Sequence, residues 1–410
     1  MNKLQLLLAG ILLMAAFNFT NSSDPPPELI AEEAPVKEQL TADLVSWSNT
    51  PDYKFNKLGK YIGKEKMPET YSKKSLHDFA AFPKLNKPVI EGLKNQLKLL
   101  RYYKKTSIKT YGNLTIDPKD TKTTVDLMLQ YADAPEQLLK RLDAHQINGN
   151  DGKGNVYETG YFTPVLKVSQ KKDDIYKYPI YKRPTKWQGK LPSRAEIESG
   201  ILDSMNLILA YANDPVDLYF MQVQGSGIVE YKNGDHELFA YNGGNGYPYK
   251  SIGKFMIEEG IAGEGDVSIK DIRRYIKEHP EMKDSILCAN PNYIFFNPVP
   301  TKDKIKGAGL VPLTPEHSIA VDPDYIPLGS CVLAAVPVYN RKGIVTHHEF
   351  KVLLAQDVGG AINGPGHVDI YQGIGYEGRI KATGLHHYGA LWLLLPKSET
   401  GEPEVIRATM

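Results

Sequence analysis

The C-terminal quarter of this chain constrains its fold more than any other stretch. Its apolar runs are too short for helices, and Gly and Pro turns separate them. Ile319 to Val321 runs into Asp322-Pro323, and Pro327-Leu328-Gly329 turns the chain into Cys331 to Val338. Phe350 to Ala355 leads to Gln356-Asp357. Gly359-Gly360 and Gly364-Pro365-Gly366 then turn the chain twice before His367 to Tyr371. A last strand starts near Tyr388 and runs through Leu395. Many short strands joined by such turns predict a small barrel, in which strand pairing closes on itself.

The pattern upstream is different. From 88 to 145 the spacing is helical. Pro88 suits a first turn, and Ile90, Leu93, Leu97 and Leu100 recur at three- and four-residue intervals. Val125, Met128 and Leu129 mark a second helix, and Pro135 opens a third with Leu138, Leu139 and Leu142 on one face. The cluster Asn148-Gly-Asn-Asp-Gly-Lys-Gly154 breaks this pattern, and strands prevail beyond it. Two short helices interrupt them. One opens at the capping box Ser193-Arg-Ala-Glu196, the other at Ser268 with Ile269, Ile272 and Ile276 behind it. No repeat of solenoid period is present. At 410 residues the chain exceeds the ~250–300 that one core usually serves, so two domains and a tail are expected.

Composition removes several function classes. With 41% hydrophobic and 24% charged residues the chain is neither disordered nor collagen-like. A net charge of +1 gives no electrostatic footprint for nucleic acid. The 25 tyrosines offer flat faces with polar tips, which suit wet, polar ligands. Cys288 and Cys331 set no disulfide framework and read as two small buried side chains, with one bridge left open.

Met1-Asn2-Lys3 precedes an almost wholly apolar run from Leu4 to Ala16. That run is short of the roughly 20 residues a bilayer span needs, and it matches the apolar region of a secretory signal. An uncleaved anchor is the alternative. Ile11 stands where a lipid-bearing Cys would follow Leu8-Ala9-Gly10. The next residues are polar and Pro-rich and read as a linker to about residue 45. The organisation expected is a signal or anchor over 1–20, a linker over 21–45 and an exported soluble body.

Three aspartates punctuate the C-terminal strands. Asp322 precedes Pro323 at a turn, where Asp commonly bonds its own backbone. Asp357 ends an apolar strand ahead of Gly359-Gly360. Asp369 lies mid-strand. By two-residue alternation His367, Asp369 and Tyr371 share one face, and Val368 and Ile370 the other. Strand propensity disfavours Asp, so Asp369 asks for a reason beyond structure. Other candidates are poorer. Within His347-His348 and His386-His387, neighbours on a strand point to opposite faces, and no HExxH or paired CxxC spacing exists. Asn242-Gly-Gly-Asn-Gly246 lacks the Lys and Ser/Thr of a phosphate loop. Gln224-Gly-Ser226-Gly lacks the first Gly of a nucleophile elbow. No metal and no cofactor is expected.

Six strings are more specific: Thr159-Gly-Tyr-Phe-Thr-Pro164, Leu191-Pro-Ser-Arg-Ala-Glu-Ile197, Met221-Gln-Val-Gln-Gly-Ser-Gly227, Tyr249-Lys-Ser-Ile-Gly253, Asp357-Val-Gly-Gly-Ala-Ile362 and Val368-Asp-Ile-Tyr-Gln-Gly373. Together, in order and spread from Gly149 to Pro396, they resemble the MltA-type lytic murein transglycosylases. The last two resemble that family's three-aspartate (3D) module. The resemblance implies a mainly β fold with N-terminal helices. A double-psi β-barrel is interrupted by an inserted second β domain, and a groove between the two holds a peptidoglycan glycan strand. On this division 46–164 carries the helices and the first part of the barrel. Residues 165–300 are the insertion, 301–398 complete the barrel and 399–410 form a tail. The family's catalytic aspartate falls on Asp369, with Asp357 as a supporting acid. Thr159, Tyr161, Gln222, Gln224, Ser226 and Tyr371 fall on positions that line the groove. Phe162 stands where Tyr is usual, and the turn between the two aspartates is one residue longer. The missing lipid-bearing Cys leaves outer-membrane attachment open.

The implied reaction cuts the β-1,4 bond between N-acetylmuramic acid and N-acetylglucosamine and leaves a 1,6-anhydro sugar. One carboxyl acts first as acid, then as base. An acid at neutral pH needs a raised pKa, so Asp369 is expected in a partly dry recess. Alternatives are a hydrolytic muramidase, which needs a second carboxylate, and a non-catalytic glycan-binding or wall-loosening barrel protein.

Overall fold

A computed structural model describes residues 41–42, 69–74, 81–102, 107–263, 267, 269–300, 304–340 and 344–397. The apolar N-terminal run, Ser268 and the tail from 399 lie outside the described residues. Within the expected linker, Thr41–Ala42 forms a strand pairing with Glu349 and His348.

The apolar C-terminal runs form a ring of six strands. Val345–Val358 pairs with Ser318–Val321, then His367–Ile374, Val156–Thr163, His386–Pro396 and Cys331–Tyr339, which returns to Val345–Val358. Closure follows because Cys331–Tyr339 pairs on both edges. The pairing is mixed: Val345–Val358 with Ser318–Val321 and Val156–Thr163 with His367–Ile374 are parallel, the rest antiparallel. Leu142–Ile147 and Tyr71–Lys74 extend the sheet beyond His386–Pro396.

Alternation sorts the side chains into two cores. Val332, Ala334, Val336, Leu391, Leu393 and Leu395 join Val368, Ile370, Ile319 and Val156 in one cluster. Their sequence neighbours Cys331, Leu333, Ala335, Ala390, Trp392 and Leu394 join Val89, Leu93, Val125 and Met128 of the helices in another. Both faces of these strands are covered, which is why they read as unbroken apolar runs.

The helices Lys87–Tyr102 and Pro118–Gln130 fall where the spacing placed them. The buried stripe of the first is Val89, Gly92, Leu93, Gln96 and Leu99; Ile90, Leu97 and Leu100 are only partly buried. The stripe is shifted because Gln96 is anchored, its amide donating to the Ser330 carbonyl at 2.8 Å. Gly92 lies under Thr314 and Leu354, where no side chain fits. The third helix is corrected more sharply. Pro135–Gln137 is a 3₁₀ turn, Leu138–Arg141 one helical turn, and Leu142 already begins a strand. Strand pairing with His386–Pro396 takes over there. The hairpin Lys109–Tyr111 and Leu114–Ile116 also interrupts the region read as helical.

A second, six-stranded sheet is built from the middle of the chain. Its order is Ile294–Val299, His236–Gly244, Gly227–Tyr231, Val165–Ser169, Ile208–Ala212, Tyr178–Tyr181. Pro164 alone separates the ring strand Val156–Thr163 from Val165–Ser169. Helix Pro215–Gln224 packs on this sheet, and the capping box at Ser193 and Glu196 is formed. Both cysteines are free, Cys331 buried and Cys288 partly so. Tyr161, Ala320, Ile362 and Tyr371 of the barrel meet Leu238, Ile228 and Val299 of the second sheet in one apolar cluster. The barrel face beside that cluster carries Asp369.

Candidate active site

Asp369 sits in the middle of His367–Ile374. Its backbone pairs with Thr159 on one side and Ala320 on the other. The alternation read from the sequence holds: Val368 and Ile370 enter the barrel core, while Asp369 faces the other way. Two central strands fix its backbone, so the carboxyl has little freedom. Thr159 Oγ1 donates to Asp369 Oδ1 at 2.9 Å. Among the described residues Oδ2 has no hydrogen-bond partner. The side chain is half-buried, so it stays reachable, yet protein surrounds it closely enough to strip most of its hydration. That desolvation pushes its pKa up to about 7; the Thr159 bond opposes the shift and the nearby Asp357 charge adds to it.

Thr159 links Asp369 to a residue not singled out as a candidate in the sequence. His367 Nε2 lies 3.0 Å from Thr159 Oγ1. Burial holds His367 down at about 4, so the ring is neutral at pH 7. With the proton on Nε2, His367 donates to Thr159 and Thr159 donates to Asp369. Tyr157 packs on the His367 ring at 5.5 Å between centroids. The only sequence signal for His367 was its parity with Asp369.

Asp357 is held quite differently. Tyr161 Oη donates to Oδ2 at 2.8 Å; the Ala308 and Val358 amides donate to Oδ1 at 2.8 and 2.9 Å. Burial raises its pKa, while these three donors pull the other way. Gly307 makes the Ala308 contact possible, since a Cβ there would lie 2.7 Å from Asp357 Cγ. Nothing in the sequence marked Gly307-Ala308 as part of the site, because the contact joins a turn to a strand end far along the chain. Asp322 is a turn residue as read: it bonds the Asp324 amide at 3.0 Å and the Gly364 amide at 2.8 Å.

The remaining expected residues do not all gather at Asp369. Tyr161 is 9% exposed and its ring lies 5.2 Å from that of Tyr371. Tyr371 is 2% exposed and its hydroxyl pairs with Thr163 at 3.0 Å, so it stands behind Tyr161 with no free polar tip. Gln224 ends helix Pro215–Gln224, and its Oε1 accepts from the Phe162 amide at 3.0 Å, tying the second sheet to the Asp369 side of the barrel. Ser226 follows the left-handed Gly225 (φ 83°) and is half-buried. Gln222 is not brought to the site. It is 2% exposed, beside the Tyr293 hydroxyl. Helical spacing puts Gln222 and Gln224 on different faces.

Among the described residues no group of three or more His, Cys, Asp or Glu side chains is placed to hold a metal ion. No described helix is long and apolar enough to cross a membrane. The arrangement provides one reachable carboxyl that is half-protonated near neutral pH, and a second carboxyl held by three protein donors.

Known proteins share this fold and parts of this sequence. The profile of the MltA specific insert domain matches residues 157–297, and that of the 3D domain matches residues 317–395. Membrane-bound lytic murein transglycosylase A of Escherichia coli K12 is 43% identical over 256 residues, covering 62% of this chain and 69% of that protein. The Vibrio cholerae protein of the same name is 34% identical over 330 residues, covering 80% and 84%. Among solved structures, E. coli MltA with bound chitohexaose superposes with a TM-score of 0.66 at 33% identity, covering 85% of this chain and 98% of that one. The Agrobacterium tumefaciens membrane-bound lytic murein transglycosylase gives 0.64 at 25% identity, covering 80% and 98%. With relatives at this identity over most of their length, the chain belongs to the MltA family of lytic murein transglycosylases.

Proposed function

We propose that this protein cleaves the β-1,4 bond between N-acetylmuramic acid and N-acetylglucosamine in peptidoglycan, with Asp369 as the single acid and base. The observation that carries the reading is the state of Asp369: one oxygen held by Thr159, the other open, and a pKa near 7 produced by burial. Protonated Asp369 donates from Oδ2 to the leaving glycosidic oxygen. The C1–O4 bond breaks and positive charge builds at the muramoyl anomeric carbon. Asp369, now a carboxylate, accepts the proton of the muramoyl C6 hydroxyl. That oxygen attacks C1 and closes the 1,6-anhydro ring. The carboxyl ends protonated as it began, and no water is consumed. Attack within one sugar draws on effective molarities that reach ~10⁵–10⁸ M in well-oriented systems.

A hydrolase would need a second carboxylate able to activate water or to attack the sugar. Asp357 is poorly suited, because an amide pair and the Tyr161 hydroxyl already bond both its oxygens and hold it in place. Its role in this reading is to fix Tyr161 and to raise the pKa of Asp369 through its charge. Thr159 and Tyr161, both nearly buried, act on the sugar through the carboxyls they hold; Gln224 and Ser226 line the groove beside Asp369, and Gln222 and Tyr371 support these from behind. The ring of six strands with two parallel pairs supports the double-psi barrel. Residues 46–164 and 301–398 would form the barrel domain and 165–300 its insertion. The apolar run Leu4 to Ala16 supports export to the periplasm, with that segment either cut or kept as a tether. Mass spectrometry of sacculus digests tests the reaction: anhydromuramoyl ends are expected, reducing ends would establish hydrolysis, and no release would leave a binding module.

A further inference from the structure

The second sheet carries an exposed aromatic that no step above uses. Tyr241 lies on His236–Gly244 and is 60% exposed. Its ring edge rests on Gly225: a Cβ built there would be 3.9 Å from Tyr241 Cδ2. Gly225 is the left-handed cap between Gln224 and Ser226, and Gln224 is bonded to the barrel strand at Phe162. One residue back, Tyr161 holds Asp357. The ring therefore stands beside the turn that joins the second sheet to the barrel next to Asp369.

Its surroundings are shaped for a ligand. The strand bulges after Tyr241, and Gly243-Gly244 follow without side chains. Gly243 has φ +89°, and the Arg183 side chain lies across it; a Cβ would meet Arg183 Cδ at 3.0 Å and Nε at 3.1 Å. Arg183 is exposed, and no carboxylate pairs with it among the described residues. A flat ring with an open face, flanked by bare backbone and a free guanidinium, suits a sugar ring bearing an acidic arm. The ring face stacks against the sugar C–H groups, and the guanidinium takes a carboxylate bidentately.

We propose that Tyr241 and Arg183 form an outer subsite for the glycan strand, which stacks one sugar on Tyr241 and reads a carboxylate of the muramoyl arm through Arg183. This rests on the reading of Asp369 as the cleaving acid, since it is the same strand that extends across both. The carboxylate belongs either to the lactyl group or to the attached peptide.

Binding is measured in an Asp369→Asn background, so that it does not depend on turnover. The ligands are peptide-bearing glycan strands, strands stripped of peptide by an amidase, and chitohexaose, which has no carboxylate. Tyr241→Ala should weaken binding of all three by about tenfold, as for loss of a stacked aromatic contact, and Tyr241→Phe should restore it. Arg183→Gln should weaken binding of the acidic strands by about fivefold and leave chitohexaose unchanged, with the difference shrinking at high salt. A loss on stripped strands assigns the lactyl carboxylate; a loss only on peptide-bearing strands assigns the stem. Unchanged binding by Tyr241→Ala, or an equal effect of Arg183→Gln on chitohexaose and acidic strands, overturns the subsite. Failure of the wild-type protein to produce anhydro ends would instead overturn the cleavage reading, whatever these variants bind.

Discussion

Thr159→Val tests how the acidity of Asp369 is set. The substitution keeps the shape of the side chain and removes the hydroxyl that donates to Asp369 Oδ1 at 2.9 Å. That bond favours the charged form, so it holds the pKa below what burial alone would give. A hydrogen bond to a charged group contributes about 1.5–3 kcal/mol, and one pH unit corresponds to about 1.4 kcal/mol, so its loss should raise the pKa by about 1–2 units. Asp369 must be protonated to donate. In the wild-type protein kcat/KM should therefore fall as pH rises through about 7. In Thr159→Val that descending limb should move up, toward about pH 8–9 by the same arithmetic, even if the plateau is lower. Asp357→Asn gives the opposite sign. It removes a charge that raises the Asp369 pKa, so the limb should move down. The assay is release of anhydromuropeptides from purified sacculi across pH 5–10, with folding checked by circular dichroism at each pH. A limb that stays put in both folded variants, or moves down in Thr159→Val, would refute the assignment of Asp369 as the titrating acid.

Other perturbations test the same site and its supports. Asp369→Asn should fold normally and lose at least about 10²–10⁴-fold in turnover, the usual size of a general-acid contribution; wild-type rates would sink the mechanism. Gly307→Ala should cost about 1–3 kcal/mol and depress activity, because the new methyl meets Asp357 Cγ and the Gln356 carbonyl, each at 2.7 Å. Gly360→Ala in the same region meets nothing within 4 Å and should leave the melting temperature unchanged, which makes it the control. Glu158 is fully buried and neither of its carboxyl oxygens has a hydrogen-bond partner among the described residues. Burial raises its folded pKa well above 4.5, so the folded protein keeps a proton that the unfolded chain releases. Stability should then fall as pH rises above that unfolded value, by up to about 1.4 kcal/mol per unit. Glu158→Gln should remove this component between pH 5 and 7 in urea titrations, and an unaltered pH slope would show that Glu158 is ionised in the folded state.

Much of the barrel was legible in the sequence because its strands carry a period-two code. Val332, Ala334 and Val336 separate from Leu333 and Ala335 by parity alone, and so does Asp369 from Val368 and Ile370. The helical region was harder. Gln96 breaks the apolar count yet lies at 0% exposure, with its Nε2 donating to the Ser330 carbonyl. Leu142 fits a helical stripe but is claimed by pairing with Pro396. A polar residue in a core and a leucine at a helix–strand border are decided by partners more than 200 positions away, which no local pattern contains.

By itself the sequence singled out the residues suited to this chemistry: an aspartate mid-strand on the face opposite its apolar neighbours Val368 and Ile370, and the six strings that resemble a known family. It determined which residues of a strand share a face, since side-chain alternation is a property of the backbone. Only the tertiary structure decided what surrounds each carboxyl. Asp357 accepts from the Ala308 amide and the Tyr161 hydroxyl, while Asp369 keeps one oxygen open in a recess that raises its pKa. Two identical side chains in one barrel differ because solvation and hydrogen bonding arise from three-dimensional surroundings, and chain order alone does not specify those.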